Sequence, residues 1–62
     1  MIWELYEVWS VDDASLTDLV DTTKSLKEAR QIAQLALTDS IVECIIYKED
    51  ENGDPVEVER VK

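Results

Sequence analysis

The sequence predicts an α+β domain: a single four-stranded antiparallel sheet of order 2-1-3-4, built β-β-α-β-β, with one helix packed on one face. Three observations carry this. Two stretches, Ile2 to Val11 and Ile41 to Tyr47, are rich in strand-forming residues and apolar on both faces. One amphipathic helical pattern lies between them. Asn52-Gly53, flanked by strand-like runs, is the best short-range hairpin signal in the chain. A strand apolar on both sides belongs in a sheet covered on both sides, yet one short helix covers only one. The other face is therefore expected to meet a second copy or a partner, or else to carry an exposed apolar patch.

In the first strand, Trp3, Leu5, Trp9 and Val11 share one face, and Ile2, Tyr6 and Val8 the other. Asp12-Asp13-Ala14-Ser15 reads as a turn, because aspartate and serine side chains bond nearby backbone groups. Leu16 to Thr23 carries two signals. Leu16, Leu19 and Val20 have helical spacing, whereas Val20 and the paired threonines suit a strand. We read a strand antiparallel to the first, with a short helical turn as its rival.

Ser25 followed by Glu28 is a capping box, in which serine and glutamate each satisfy an unpaired backbone N–H. Leu26, Ala29, Ile32, Ala33, Ala36 and Leu37 then form one broad apolar side. Lys27, Arg30, Gln31 and Gln34 mark the polar side, and Leu35 stands off the stripe, exposed. The helix is expected to end near Thr38 or Asp39, without a glycine cap. In the next strand Ile41, Ile45 and Tyr47 oppose Val42, Cys44 and Ile46. Both residues of Asn52-Gly53 tolerate positive φ. Pro55 then opens an edge strand, Val56 to Val61, that alternates valine and glutamate as a half-buried edge does. The doubly apolar strands thus lie centrally. The charged edges (Asp18 and Asp21 on one side; Glu57, Glu59, Arg60 and Lys62 on the other) discourage aggregation.

Sixty-two residues make one small acidic domain, 1–62. A chain this short buries only about 60% of its unfolded surface and usually needs a disulfide, a metal or oligomerisation. Cys44 is the single cysteine and there is no histidine, so an internal disulfide and the common zinc sites are excluded. Self-association or partner binding remains. Fifteen acidic residues against six basic ones give a net charge of −9. That excess disfavours nucleic acid and anionic membrane and suits a basic protein partner. Met1-Ile2-Trp3-Glu4 has neither the basic region nor the apolar run of a signal peptide, and no stretch is apolar enough to span a membrane. A lone cysteine fits a reducing cytosol, so a cytoplasmic location is expected.

Catalysis is not expected. Without histidine the commonest general base and the usual serine or cysteine triads are missing. Cys44, on a central strand, is expected to pack as a small hydrophobe. The single glycine lies in a turn, so no phosphate-cradling loop exists. Glu49 to Asp54 invites a calcium reading but fails it: the glycine is misplaced, and Val61 stands where a bidentate glutamate is needed. No cofactor or metal is implied. Lys24, Lys27 and Arg30 gather at the helix start, against the macrodipole preference, and are expected to pair with acids of the sheet edge.

The function expected is a non-catalytic interaction module, acting through the sheet face away from the helix. Trp3, Leu5 and Trp9 are expected to face the helix. That leaves Ile2, Tyr6 and Val8 as partner-binding residues, rimmed by Glu4, Asp12, Asp13, Asp18 and Asp21. The partner is a second copy, giving a homodimer, or a basic host protein. The opposite assignment of faces would leave a stronger docking surface, since tryptophan is a favoured interface anchor. Which face of Ile41–Tyr47 matches is left open by the hairpin between Lys48 and Pro55. The alternative function is inhibition of a nucleic-acid-binding protein by charge mimicry. There Asp12, Asp13, Asp18, Asp21, Glu49, Asp50, Glu51 and Asp54 would stand in for phosphates.

The β-β-α-β-β layout, with Ser25-Leu26-Lys27-Glu28-Ala29 opening the helix and a strand soon after, resembles short bacterial and phage proteins. Among them it is similar to the small T7-type phage inhibitors of host RNA polymerase. The resemblance covers roughly residues 25 to 48 and rests on helix-start chemistry and spacing, so it carries no functional residue across. It implies a non-catalytic inhibitor of a large host machine.

Overall fold

Strands form where β-branched and aromatic residues are densest, and the helix forms over the one stretch with a 3.6-residue apolar period. A computed structural model describes residues 5–62, with β1 (Tyr6–Asp12), β2 (Thr17–Thr23), α1 (Leu26–Ala36), β3 (Ile41–Glu49) and β4 (Pro55–Val61). All neighbouring strands are antiparallel, in the predicted order β2-β1-β3-β4. Residues 16–23 resolve in favour of the strand. The start of the first apolar stretch, Ile2 to Glu4, lies outside the described residues.

The core lies between α1 and the two central strands. Val8, Ala29, Ala33, Cys44 and Ile46 are fully buried there, with Tyr6, Leu26, Ile32, Ala36, Leu37, Ile41 and Val61 packed around them. The inward face of α1 carries alanines, so the helix seats close to the sheet and medium-sized Val8, Cys44 and Ile46 fill the gap. Burying a valine or isoleucine side chain contributes about 1.5–3 kcal/mol, so this small set supplies much of the stability.

This packing reverses the expected faces of β1. Tyr6 and Val8, expected outward as partner-binding residues, lie under the helix, and Val8 has no exposed surface. Trp9, expected inward, lies on the opposite face, paired with Ile45. The physical reason is volume: a helix seated on alanines leaves no room for an indole. We call the uncovered side the open face.

Every strand pair contains a bulge, and each bulge spends its extra residue on a valine. The pairing skips Val20 between Leu19 and Asp21, Val42 between Ile41 and Glu43, and Val58 between Glu57 and Glu59. All three valines are exposed. A bulge leaves one residue unpaired and shifts the alternation by one. Ile41 is thereby turned to the helix-side core, not to the face of Ile45 and Tyr47 as strict alternation required. Glu57 and Glu59 are likewise sent to opposite faces, which regular alternation of β4 did not allow.

The helix start differs from a plain capping box. Ser25 Oγ accepts from Glu28 N at 3.4 Å as expected, but the Glu28 carboxylate accepts from Thr23 Oγ1 at 2.6 Å. Ser25 N donates to that same Thr23 oxygen at 3.4 Å, so a buried threonine relays the second half of the cap. The helix ends at Ala36, two or three residues earlier than expected, because Leu37 adopts extended backbone and packs its side chain on the core. Thr38 Oγ1 then accepts from Ser40 N and Ile41 N, starting β3.

The two hairpins close with the same bonds. Asp12 Oδ1 accepts from Ala14 N and Leu16 N, both at 2.9 Å, while Ser15 N donates to Asp12 O. Asp50 Oδ1 accepts from Asn52 N at 2.8 Å and Asp54 N at 2.9 Å, while Gly53 N donates to Asp50 O. Each loop thus has an aspartate at its head and one left-handed residue three positions on: Ser15 at φ 65° and Gly53 at φ 83°. The second loop is therefore a three-residue connection with one positive-φ residue, where the Asn52-Gly53 signal suggested two.

Serine is strained where glycine is not, by about 1–2 kcal/mol. Against glycine's greater loss of chain entropy, Ser15→Gly is expected to raise stability by about 0.5 kcal/mol. A Cβ on Gly53 meets nothing within 4 Å, so Gly53→Ala is expected to cost only the conformational term, about 1 kcal/mol. Thermal unfolding followed by circular dichroism should show midpoints moving in opposite directions. Movement in the same direction would refute the equivalence of the loops.

Candidate docking surface on the open sheet face

The register fixes what the open face displays. From β1 come Glu7, Trp9 and Val11, directly opposite Tyr47, Ile45 and Glu43 of β3. From β2, Leu19 stands beside Trp9 and Thr17 beside Val11. From β4, Arg60 stands opposite Ile45 and Glu57 opposite Tyr47. Among the described residues no helix covers this side, yet Ile45 is only 6% exposed. Its cross-strand neighbours shield it, with Trp9 on one flank and the aliphatic stem of Arg60 on the other.

Arg60 is held between two carboxylates. Its Nη1 donates to Glu43 Oε1 at 2.9 Å, and its Nε lies 3.0 Å from both oxygens of Glu57. Lys62 Nζ adds a looser contact, 3.8 Å from Glu43. The hydrogen bond from Arg60 pulls the Glu57 carboxyl below its ordinary value of 4.5, and the same bond raises the guanidinium. The Val58 bulge makes the pair possible, by turning Glu57 to the face on which Arg60 lies.

On the β2 side the face is differently charged. Glu7, Trp9, Thr17, Tyr47 and Pro55 line a shallow concavity of about 290 Å³. Trp9 Nε1 donates to Glu7 Oε1 at 3.5 Å, fixing the carboxylate beside the indole edge. Among the described residues no cation pairs with this half-buried carboxylate. A carboxylate between two aromatic rings is suited to hold a positive group, not to transfer protons or attack a substrate.

Of the residues expected to bind a partner, Ile2 and Glu4 lie outside the described residues. Tyr6 and Val8 are on the wrong face, as described above; Lys48 Nζ lies 5.5 Å from the Tyr6 ring centroid. Asp12 and Asp13 sit at the first hairpin tip, and Asp18 and Asp21 on the exposed edge β2. Asp12 and Asp21 spend carboxylate oxygens on backbone N–H groups of their own neighbours. Sequence reasoning missed Glu7 and left Tyr47 unassigned. The signal that could have found them is the alanine content of the helix stripe, which sets the face carrying the two aromatic side chains outward.

The remaining chemistry is structural. Arg30 forms a forked pair with Glu59 of the edge strand, Nε and Nη2 donating at 2.9 and 3.0 Å, which is the pairing expected of that cation. Cys44 Sγ donates to Ala33 O at 3.4 Å, and burial together with nearby Glu43 pushes its thiol up from 9.0. Among the described residues no His, Cys, Asp and Glu group is arranged to hold a metal ion, and no helix is long and apolar enough to cross a membrane. Compared with protein families, curated proteins and solved structures, the chain matches none.

Two outcomes follow from this geometry. The Glu57 carboxyl should titrate below 4.5 by carbon-detected NMR and return toward it in Arg60→Gln. Because the folded value is depressed, the pair's contribution is complete above the ordinary value and is lost as pH falls through the folded one. Cys44 should react with a thiol reagent only through opening of the protein, so denaturant should accelerate labelling well beyond the native rate at the same pH.

Proposed function

We propose that this chain is a non-catalytic protein-binding module whose open sheet face docks a separate partner. One observation carries the reading: Trp9 and Tyr47 are gathered, over the buried Ile45, on the side of the sheet that no element of the described residues covers. Aromatic side chains with a polar rim are the composition of interface centres. A partner of other sequence suits this face better than a second copy. Face-to-face self-association would bring together two chains of net charge −9, each carrying Glu7 with no paired cation among the described residues on that face. Like charges placed across an interface cost affinity, and opposite ones guide the encounter.

The test places a photo-crosslinking residue at Leu19, on the open face, or at Leu35, 85% exposed on the back of the helix. In cells, crosslinks to another protein are expected from Leu19 and not from Leu35. In purified protein, light scattering should give the monomer mass from micromolar to millimolar concentration at low salt. Equal crosslinking from both positions, or a dimer at low salt, would overturn the reading.

A further inference from the structure

We propose that the concavity between Trp9 and Tyr47 is a binding site for a single arginine side chain presented by the partner. This rests on the docking reading above and adds the chemistry of the contact. Three features of the site converge. Its walls are an indole, a phenol ring and Pro55, which offer flat π-faces and apolar surface to a weakly hydrated planar cation. Its one carboxylate, Glu7, is oriented by the 3.5 Å bond from Trp9 Nε1 and meets no cation among the described residues. Its volume, about 290 Å³, admits one long side chain and no folded element.

Rival occupants fit less well. A divalent metal needs six or more oxygen ligands, and the lining supplies one carboxylate and one threonine hydroxyl besides the tyrosine. A purely apolar side chain would desolvate Glu7 without compensation. Lysine matches the charge, but its compact ammonium neither stacks on the ring nor forks to a carboxylate. Glu43 and Glu57 are already engaged by Arg60, whereas Glu7, and Glu49 opposite Pro55 at the end of β3, meet no cation among the described residues. The unneutralised charge of the open face thus lies at the end that holds the concavity. Charge complementarity therefore selects a cationic group at this end of the face.

The probe is an amidated pentapeptide with one central arginine between valines and glycines, compared with its lysine and citrulline counterparts. Citrulline keeps the shape of arginine and removes the charge. Binding to the full chain is read by the shift of the Trp9 Nε1–H resonance in two-dimensional NMR. The arginine peptide is expected to bind about tenfold more tightly than the citrulline peptide, with lysine between them. Glu7→Gln should erase that difference while leaving citrulline binding unchanged, and Tyr47→Leu, which keeps the Trp9 probe, should weaken all three. The spectra themselves report whether each variant remains folded.

Equal binding of arginine and citrulline peptides would overturn the cation site while leaving the docking face standing. Shifts confined to the hairpin aspartates would also overturn it, by reducing the attraction to general charge. No shift at Trp9 with any peptide overturns it as well. The docking reading fails separately, on the crosslinks from Leu19 and Leu35.

Discussion

The rest of the structure depends on the close seat of the helix on the sheet. Ala29 and Ala33 are fully buried against Val8, Cys44 and Ile46, and the Cys44 thiol reaches the Ala33 carbonyl. Close-packed interiors tolerate neither voids nor surplus volume. Directly against the two alanines the space is therefore matched by side chains of moderate size, with the larger Tyr6 only partly buried beside them. Once Val8 and Ile46 fill that space, Trp9, Ile45 and Tyr47 have only the other side of the sheet to occupy. The uncovered aromatic surface follows from the packing beneath the helix.

The bulges adjust what that packing leaves unresolved. A regular strand offers two fixed faces, and β3 and β4 need residues of one parity on both sides. Skipping Val42 brings Ile41 to the core, and skipping Val58 lets Glu57 meet Arg60 while Glu59 meets Arg30. Exposed ion pairs contribute little each. Their value here is positional, because they hold β4 in register and cover the flank of Ile45. Valine is a reasonable residue to spend at such a site, since it keeps extended backbone whichever way its side chain points.

Much of the fold was legible because long-range and local signals agreed. The doubly apolar stretches marked the central strands, the capping serine marked the helix start, and the polar strands fell at the edges. The faces were not legible. Period-two alternation assigns two sides to a strand without saying which one a helix covers, and a single bulge reverses the assignment beyond it. Residues on both sides of β1 are apolar, so hydrophobicity alone did not separate them; the size match between alanine and valine did. The paired loops were half visible. Aspartate heads both, but the left-handed residue is glycine in one and serine in the other, and only glycine announces itself.

Those matched loops divide the chain into two self-closing halves. Each hairpin is sealed by short-range bonds from one aspartate, so it forms with little loop entropy, on the microsecond scale of isolated hairpins. The seam between β1 and β3 is different, because it joins residues as far apart as Tyr6 and Lys48. We expect the folding barrier to lie at that seam, where two preformed ribbons meet as α1 settles on both. Substitutions at Val8 and Ile46 would then slow folding, and those at the loop aspartates would chiefly hasten unfolding, a division that φ-values can check. On this view the helix acts as a clasp between two ribbons, and the moment it closes is the moment the aromatic surface first becomes continuous.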